Sequence, residues 1–389
     1  MTTYSYYPPD VLPPDFCITS GANDLLTTAD GRQYIDLLSG SGTVFLGHGN
    51  RAIAKRLQSE LESVWNAGAL RTSARDQAWA AVESFFPDSY ELAVLYSTGM
   101  EAVEFAIRVA RQSTGRREIV GFNGSMHGKS MATARLGWPN KLVTLPDFHS
   151  LQYLPELAED QILANVRDVV STERVAAVFL EGLLGSKGGH IPSPEFAREL
   201  AKICADRGTL LVADEIFTGF YRTGAPFLHH ALGLTPDVVL IGKAMGNGFP
   251  VAGVVVQRRY PVQGSMLPGS TFAGNPLASS VVTATLAEMR AQDLPTKVGA
   301  IEREVRGKLT GLSSMGIALR GKGALWLLEF PASLSVQRIM QHIVRDGVIV
   351  SPTANYIRML PAATITLAHL TKACEVIVTA CEKERDSAR

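Results

Sequence analysis

Thr209–Val256 reads TLLVADEIFTGFYRTGAPFLHHALGLTPDVVLIGKAMGNGFPVAGVVV. It opens on Leu210-Leu211-Val212-Ala213, an apolar run short enough for a buried strand, which ends in Asp214 and Glu215. A second run, Val238-Val239-Leu240-Ile241, ends at Gly242-Lys243 and breaks into a loop punctuated by Gly246, Gly248 and Pro250. In an open α/β sheet, ligands sit outside the carboxyl ends of the strands. An acid and a lysine therefore fall at one rim of one sheet.

A lysine at such a rim is costly to bury unless it is deprotonated or condensed with a carbonyl. Pyridoxal phosphate uses both groups: its aldehyde condenses with a lysine and its ring nitrogen takes a carboxylate partner. Taken alone, Asp214 and Lys243 could equally be a loop carboxylate and a solvated strand-end lysine. DEIFTGFYRTG followed by PDVVLIGKAMGNGFP resembles the class III (omega) aminotransferases of fold type I, and the resemblance covers nearly the whole chain. It implies an α/β fold: a large domain with a mostly parallel seven-stranded sheet and a small α+β domain. The expected boundaries are 46–276 for the large domain, with 1–45 and 277–389 forming the small one and an N-terminal arm. The implied cofactor is pyridoxal 5'-phosphate, held on Lys243 with Asp214 at the ring nitrogen.

Composition is consistent with this reading. The 389 residues allow two cores. Lys+Arg 37 against Asp+Glu 37 gives no net charge to attract a polyanion, so no nucleic-acid partner is expected. No apolar run reaches the roughly 18 residues that a bilayer span needs. MTTYSYYPPDVLPPDF lacks the blocks of a signal peptide, so a cytoplasmic protein is expected. Cys17, Cys204, Cys374 and Cys381 have neither metal-ligand nor redox spacing, and no metal site is expected.

The remaining site residues follow in chain order. The first ~25 residues, rich in Tyr and Pro, read as an arm. LSGSGTVFLGHGN is a Gly/Ser-rich loop that resembles the family's entry segment; Ser41 and Phe45 within it are expected on the substrate side. Leu92–Tyr96 reads as a strand, Ser97-Thr98-Gly99-Met100 as a turn, and Glu101–Arg111 as a helix. This geometry aims backbone N–H groups at a phosphate, or else is an ordinary N-cap. The resemblance places the phosphate loop here, with Gly99 and Met100 binding through their amides. Further on, NGSMHGK puts Met126 where relatives stack an aromatic on the cofactor, beside His127; a thioether can cover the ring too. Lys129 stands where some relatives place an arginine for a distal carboxylate. Glu181 is expected near the cofactor's O3′ side, and Ile216 against the ring face opposite Met126. Phe217 replaces a glutamine found in many relatives. Thr271, in GSTFAGNP, is expected to reach the phosphate of the other subunit of a homodimer with shared sites. Arg358, in YIRMLPAATIT, is expected to take the substrate α-carboxylate.

The reaction implied is amino transfer between an amino acid or amine and an oxo-acid, aldehyde or ketone. An aminomutase, racemase or decarboxylase would share every cofactor residue. Ser41, Met126 and Phe217 together suggest a roomy, apolar pocket, and favour an aldehyde, ketone or primary amine over a diamino acid such as ornithine.

Overall fold

The computed structural model describes residues 7–8, 10–138, 145–260, 262, 269–353 and 355–387. The chain divides into two compact units. The larger comprises Ala52–Phe220 and Ala225–Gln292; the smaller comprises Met1–Arg51, Tyr221–Gly224 and Asp293–Arg389.

The larger unit is built on a seven-stranded sheet. Its order is Tyr90–Tyr96, Ala252–Gln257, Val238–Gly242, Leu210–Asp214, Val175–Glu181, Glu118–Phe122 and Phe148–Leu151. Only Ala252–Gln257 runs antiparallel to its neighbours. The five strands on its far side pair in parallel, which requires crossovers, and helices such as Glu159–Val170 and Pro194–Asp206 supply them. Val238 to Ile241 and Val175 to Phe179 are fully buried, as continuous apolar strands covered on both faces must be. Gly99–Thr114 buries Ala102, Val103, Phe105, Ala106, Ile107, Val109 and Ala110 on the sheet, a helical stripe that the sequence carries at the 3.6-residue period.

Register fixes what shares a rim. Ala252 pairs with Tyr96 on one side and Gly242 on the other, Leu240 pairs with Asp214, and Asp214 pairs with Glu181. The segments that follow Tyr96, Phe122, Glu181, Asp214 and Gly242 consequently leave the sheet at the same edge.

The smaller unit holds two four-stranded sheets. In one, Ile18–Ala22, Leu25–Thr28 and Gln33–Asp36 form an antiparallel meander, and Val348–Ile349 adds in parallel. The reading of the first ~25 residues as an arm therefore changes from Ile18 onward: Thr19 and Thr27 also bond across the hairpin, and this stretch is a sheet edge. In the other, Ala318–Lys322, Leu325–Glu329, Tyr356–Met359 and Ser351–Thr353 pair antiparallel around a fully buried Trp326. The helices Leu294–Leu309, Val336–Arg345 and Leu367–Ser387 cover them. Among the described residues, no helix is long and apolar enough to cross a membrane.

Candidate active site

The rim of the large sheet is polar where the strands beneath it are not. Asp214 ends its strand 5% exposed. Its Oδ1 accepts the N–H of Ile216 at 3.1 Å, and its Oδ2 lies 2.7 Å from Nδ1 of His127, which donates to it. The His127 side chain is wholly buried, and its Nε2 has no hydrogen-bond partner among the described residues. An acceptor on one ring nitrogen fixes the tautomer and aims the other nitrogen. Glu215 is the next residue, but strand alternation sends it to the opposite face. There it accepts from the backbone N–H groups of Leu228 at 3.0 Å and His229 at 2.6 Å, from Nδ1 of His229 at 2.9 Å, and from the Thr218 hydroxyl. Burial alone would raise its pKa; the bonds from His229 and Thr218 outweigh that and hold the carboxyl below the usual carboxylate range. The two adjacent acids thus divide into one at the rim and one in the scaffold.

Glu181 lies beside Asp214 on the neighbouring strand, 3% exposed. Its carboxyl ties two loops to the sheet: Oε2 accepts the N–H of Met126 at 2.8 Å, and Oε1 that of Gly185 at 3.3 Å. Burial pushes it up to about 7, with Asp214 adding to the rise while His127 and the two amides oppose it.

Lys243 follows Gly242 and begins a short 3-10 helix with φ of 43°, in the left-handed region that few non-glycine residues enter. Its Nζ sits 3.6 Å from the centre of the Phe217 ring. That ring is wedged where Gly185 lacks a side chain: a Cβ at 185 would lie 2.4 Å from its Cδ1. In the sequence Phe217 stands out only as a replacement for a glutamine. Nothing there places the ring under Lys243, a juxtaposition of two turns with no local signature.

The turn after Tyr96 combines the two readings left open by its sequence. Thr98 caps the helix through Glu101 N–H, and the Glu101 carboxylate returns to the N–H groups of Thr98 at 2.9 Å and Ser97 at 3.1 Å, a capping box. That leaves the N–H groups of Gly99 and Met100 pointing out of the helix end, where anions bind. Gly99 is bare because Ile216 fills the space: a Cβ there would stand 2.9 Å from Ile216 Cδ1, and one on Gly242 would stand 3.3 Å from Ile216 Cγ2. Ile216 therefore spans the rim between the phosphate-type turn and the residue before Lys243. On the loop after Phe122, Met126 is half-buried and Lys129 is exposed, with the Lys129 N–H 3.3 Å from Sδ of Met100.

The structure thus brings Gly99, Met100, Met126, His127, Glu181, Asp214, Ile216 and Lys243 to one rim of the larger unit. Thr271 belongs to the same unit, in an exposed turn whose carbonyl takes a bond from Asn66 Nδ2 at 3.2 Å. Three sequence-derived residues belong to the smaller unit. Arg358, half-buried on its strand, donates to Ser351 Oγ at 2.8 and 3.2 Å. Ser41 is exposed with φ of 60°. Phe45 is fully buried, with the Arg222 guanidinium 4.2 Å from its ring centre.

The rim residues fit a pyridoxal phosphate. Asp214 is a buried acid with two of its roughly four lone-pair directions used, so it can accept one more N–H, and a protonated ring nitrogen is such a donor. The two outward amides suit the phosphate, and the apolar face of Ile216 suits an aromatic ring.

Comparisons with known proteins agree with that chemistry. The model of the family Aminotransferase class-III matches residues 6–381. The chain is 31% identical to the 2-aminoadipate transaminase of Pseudomonas putida over 397 residues, 92% of this chain and 94% of the relative. It is 32% identical to the acetylornithine aminotransferase of Halalkalibacterium halodurans over 306 residues, 77% of this chain and 76% of the relative. Among solved structures, a transaminase from the marine bacterium Virgibacillus superposes with a TM-score of 0.88 at 23% identity, covering 96% of this chain and 94% of that one; this likeness is one of fold.

Proposed function

This chain belongs to the class III aminotransferases, and on that premise we propose that Lys243 and Asp214 are its catalytic pair. Its cofactor is pyridoxal 5'-phosphate, and its reaction moves an amino group from a donor to a carbonyl acceptor. When bound, the cofactor supplies an electron sink conjugated to the carbon that bears the amino group. One observation carries the assignment: Asp214 and Lys243 leave neighbouring parallel strands at one rim, in the register Asp214 to Leu240.

In this reading Lys243 Nζ would hold the cofactor and would move a proton at the substrate carbon that bears the amino group. Asp214 holds the proton of the ring nitrogen, and His127 fixes the carboxylate at the required angle through its 2.7 Å bond. Gly99 and Met100 offer backbone N–H groups to the phosphate. Ile216 and Met126 cover the two ring faces, with Glu181 holding Met126 by its N–H at 2.8 Å. Arg358, steadied by Ser351, takes the substrate α-carboxylate. Lys129 offers a point charge rather than a bidentate fork to a second acidic group. Ser41 and Phe45 stand on the substrate side.

The larger unit is the cofactor-binding domain, and the working form is a cytoplasmic homodimer with Thr271 reaching the partner's phosphate. An exposed apolar stretch beside Thr271 supports this: Trp65 is 62% exposed, Leu70 73% and Phe272 60%. Soluble monomers rarely leave such a patch uncovered. The names of the two relatives, 2-aminoadipate and acetylornithine, direct the choice of donor to amino acids whose far end is acidic or acylated, rather than a free diamine. The test is a donor screen with 2-oxoglutarate and pyruvate as acceptors, read as keto product. Product from such donors and none from ornithine supports the substrate class. Racemised or decarboxylated product without amino transfer would refute the reaction.

A further inference from the structure

Phe217 and Lys243 are both held in place from outside their own contact. The Phe217 ring is 8% exposed and fills the space that a Cβ on Gly185 would occupy, at 2.4 and 2.5 Å from its Cδ1 and Cε1. Gly185 is in turn fixed by its N–H bond to Glu181. Lys243 is fixed by its left-handed backbone at the end of a strand whose other residues are fully buried. The 3.6 Å between Nζ and the ring centre is short for a cation over an aromatic face, an attraction that acts out to about 6 Å.

Three carboxylates stand on the surrounding rim segments, and each has its own bonds. Asp214 takes the His127 and Ile216 N–H groups, Glu181 takes two backbone amides, and Glu215 takes His229 and Thr218. Wedged against Gly185, the ring face is a fixed electrostatic neighbour of this amine. It attracts the ammonium and is indifferent to the neutral amine.

We propose that Phe217 is a positioning residue for Lys243: its ring face seats the protonated ε-amino group whenever that group is not covalently engaged, and so sets the pH at which the lysine can react. The inference rests on the reading that Lys243 anchors the cofactor. Covalent capture of pyridoxal phosphate by the stripped protein needs the neutral amine. A nitrogen–carbon bond forms, the aldehyde oxygen leaves as water, and the ammonium must first release a proton to solvent. A ring that holds the ammonium delays capture until higher pH.

The experiment removes the cofactor from the holoenzyme and follows capture of added pyridoxal phosphate, by absorbance, as a function of pH. Each variant is trapped with borohydride and its labelled lysine mapped. An attraction of ~0.5–2 kcal/mol, at 1.36 kcal/mol per pH unit, places the midpoint of the rate profile about 0.4–1.5 units lower in Phe217→Leu than in the native protein. Phe217→Tyr keeps the ring and is expected to keep the native midpoint. Phe217→Met, another ring-free side chain of similar bulk, replaces the leucine variant if that one does not fold. An unshifted midpoint in the ring-free variant overturns the proposal, as does an equal shift in the tyrosine variant. Label on a lysine other than Lys243 overturns instead the anchor reading on which the proposal stands.

Discussion

Replacing Glu181 by glutamine keeps the shape of a buried side chain and changes two quantities that the geometry makes separable. The carboxylate accepts from Met126 N–H at 2.8 Å and from Gly185 N–H at 3.3 Å. An amide has one oxygen and must turn its NH2 toward one of those donors. One buried N–H then loses its partner, at about 1–3 kcal/mol at every pH. The second quantity is electrostatic. Burial raises the folded-state pKa of Glu181 from 4.5 to about 7, so between those values the folded chain binds a proton that the unfolded chain releases. Stability from this group is fully present below the unfolded value and is lost as pH rises through about 7. The integrated loss is on the order of 3 kcal/mol, and glutamine has no counterpart to it. The stability gap between the native chain and Glu181→Gln should therefore be widest near pH 5 and shrink toward pH 8, at which glutamine could become the better residue. Urea unfolding of both proteins without cofactor, followed by tryptophan fluorescence across that range, measures the gap. A gap that stays constant with pH would refute the claim that burial of an acid dominates this position.

Two further outcomes follow. Arg222 is fully buried, with no carboxylate partner among the described residues: its guanidinium donates to the carbonyls of Ala324, Pro361 and Gly42 and stacks on Phe45, and burial pushes its pKa down to about 9. Arg222→Met strands three carbonyls at roughly 1 kcal/mol or more each, so the unfolding midpoint of the smaller unit should fall by at least about 3 kcal/mol's worth, and an unchanged midpoint would contradict the role. Thr271→Val removes one bond to a charged acceptor, about 1.5–3 kcal/mol, which lowers cofactor affinity roughly ten- to a hundredfold. Dilution should release cofactor in step with dimer dissociation in a sedimentation run, and a monomer that keeps full occupancy would exclude the shared site.

How much of this was legible in the sequence depended on whether the signal was local. Leu210–Ala213 and Val238–Ile241 carry their apolar character and their ends in their own residues, and the structure returns both within one residue. Met131–Gly137, Phe148–Leu151 and Glu159–Val170 went unread: the first two are too short for a period to show, and the third begins at Ala158 without a side-chain cap. At the rim, strand ends located Asp214 and Lys243, because an apolar run that stops at a charged residue marks both the strand and its edge. Which of Asp214 and Glu215 faces the site was not legible from the pair itself. It follows from the pleat and from His229, which claims Glu215 from a helix on the other side. The His127 bond to Asp214, the Phe217 ring beneath Lys243 and the carbonyl cage of Arg222 join segments far apart in the chain. Nothing in local spacing encodes them.

Lys243 is the residue on which cofactor binding and chemistry both depend. Borohydride reduction of the holoenzyme, followed by proteolysis and mass mapping, tests this without reference to turnover. A phosphopyridoxyl label is expected on Lys243 and is expected to be absent from that peptide in Lys243→Ala. Label on any other lysine of the native protein would contradict this assignment.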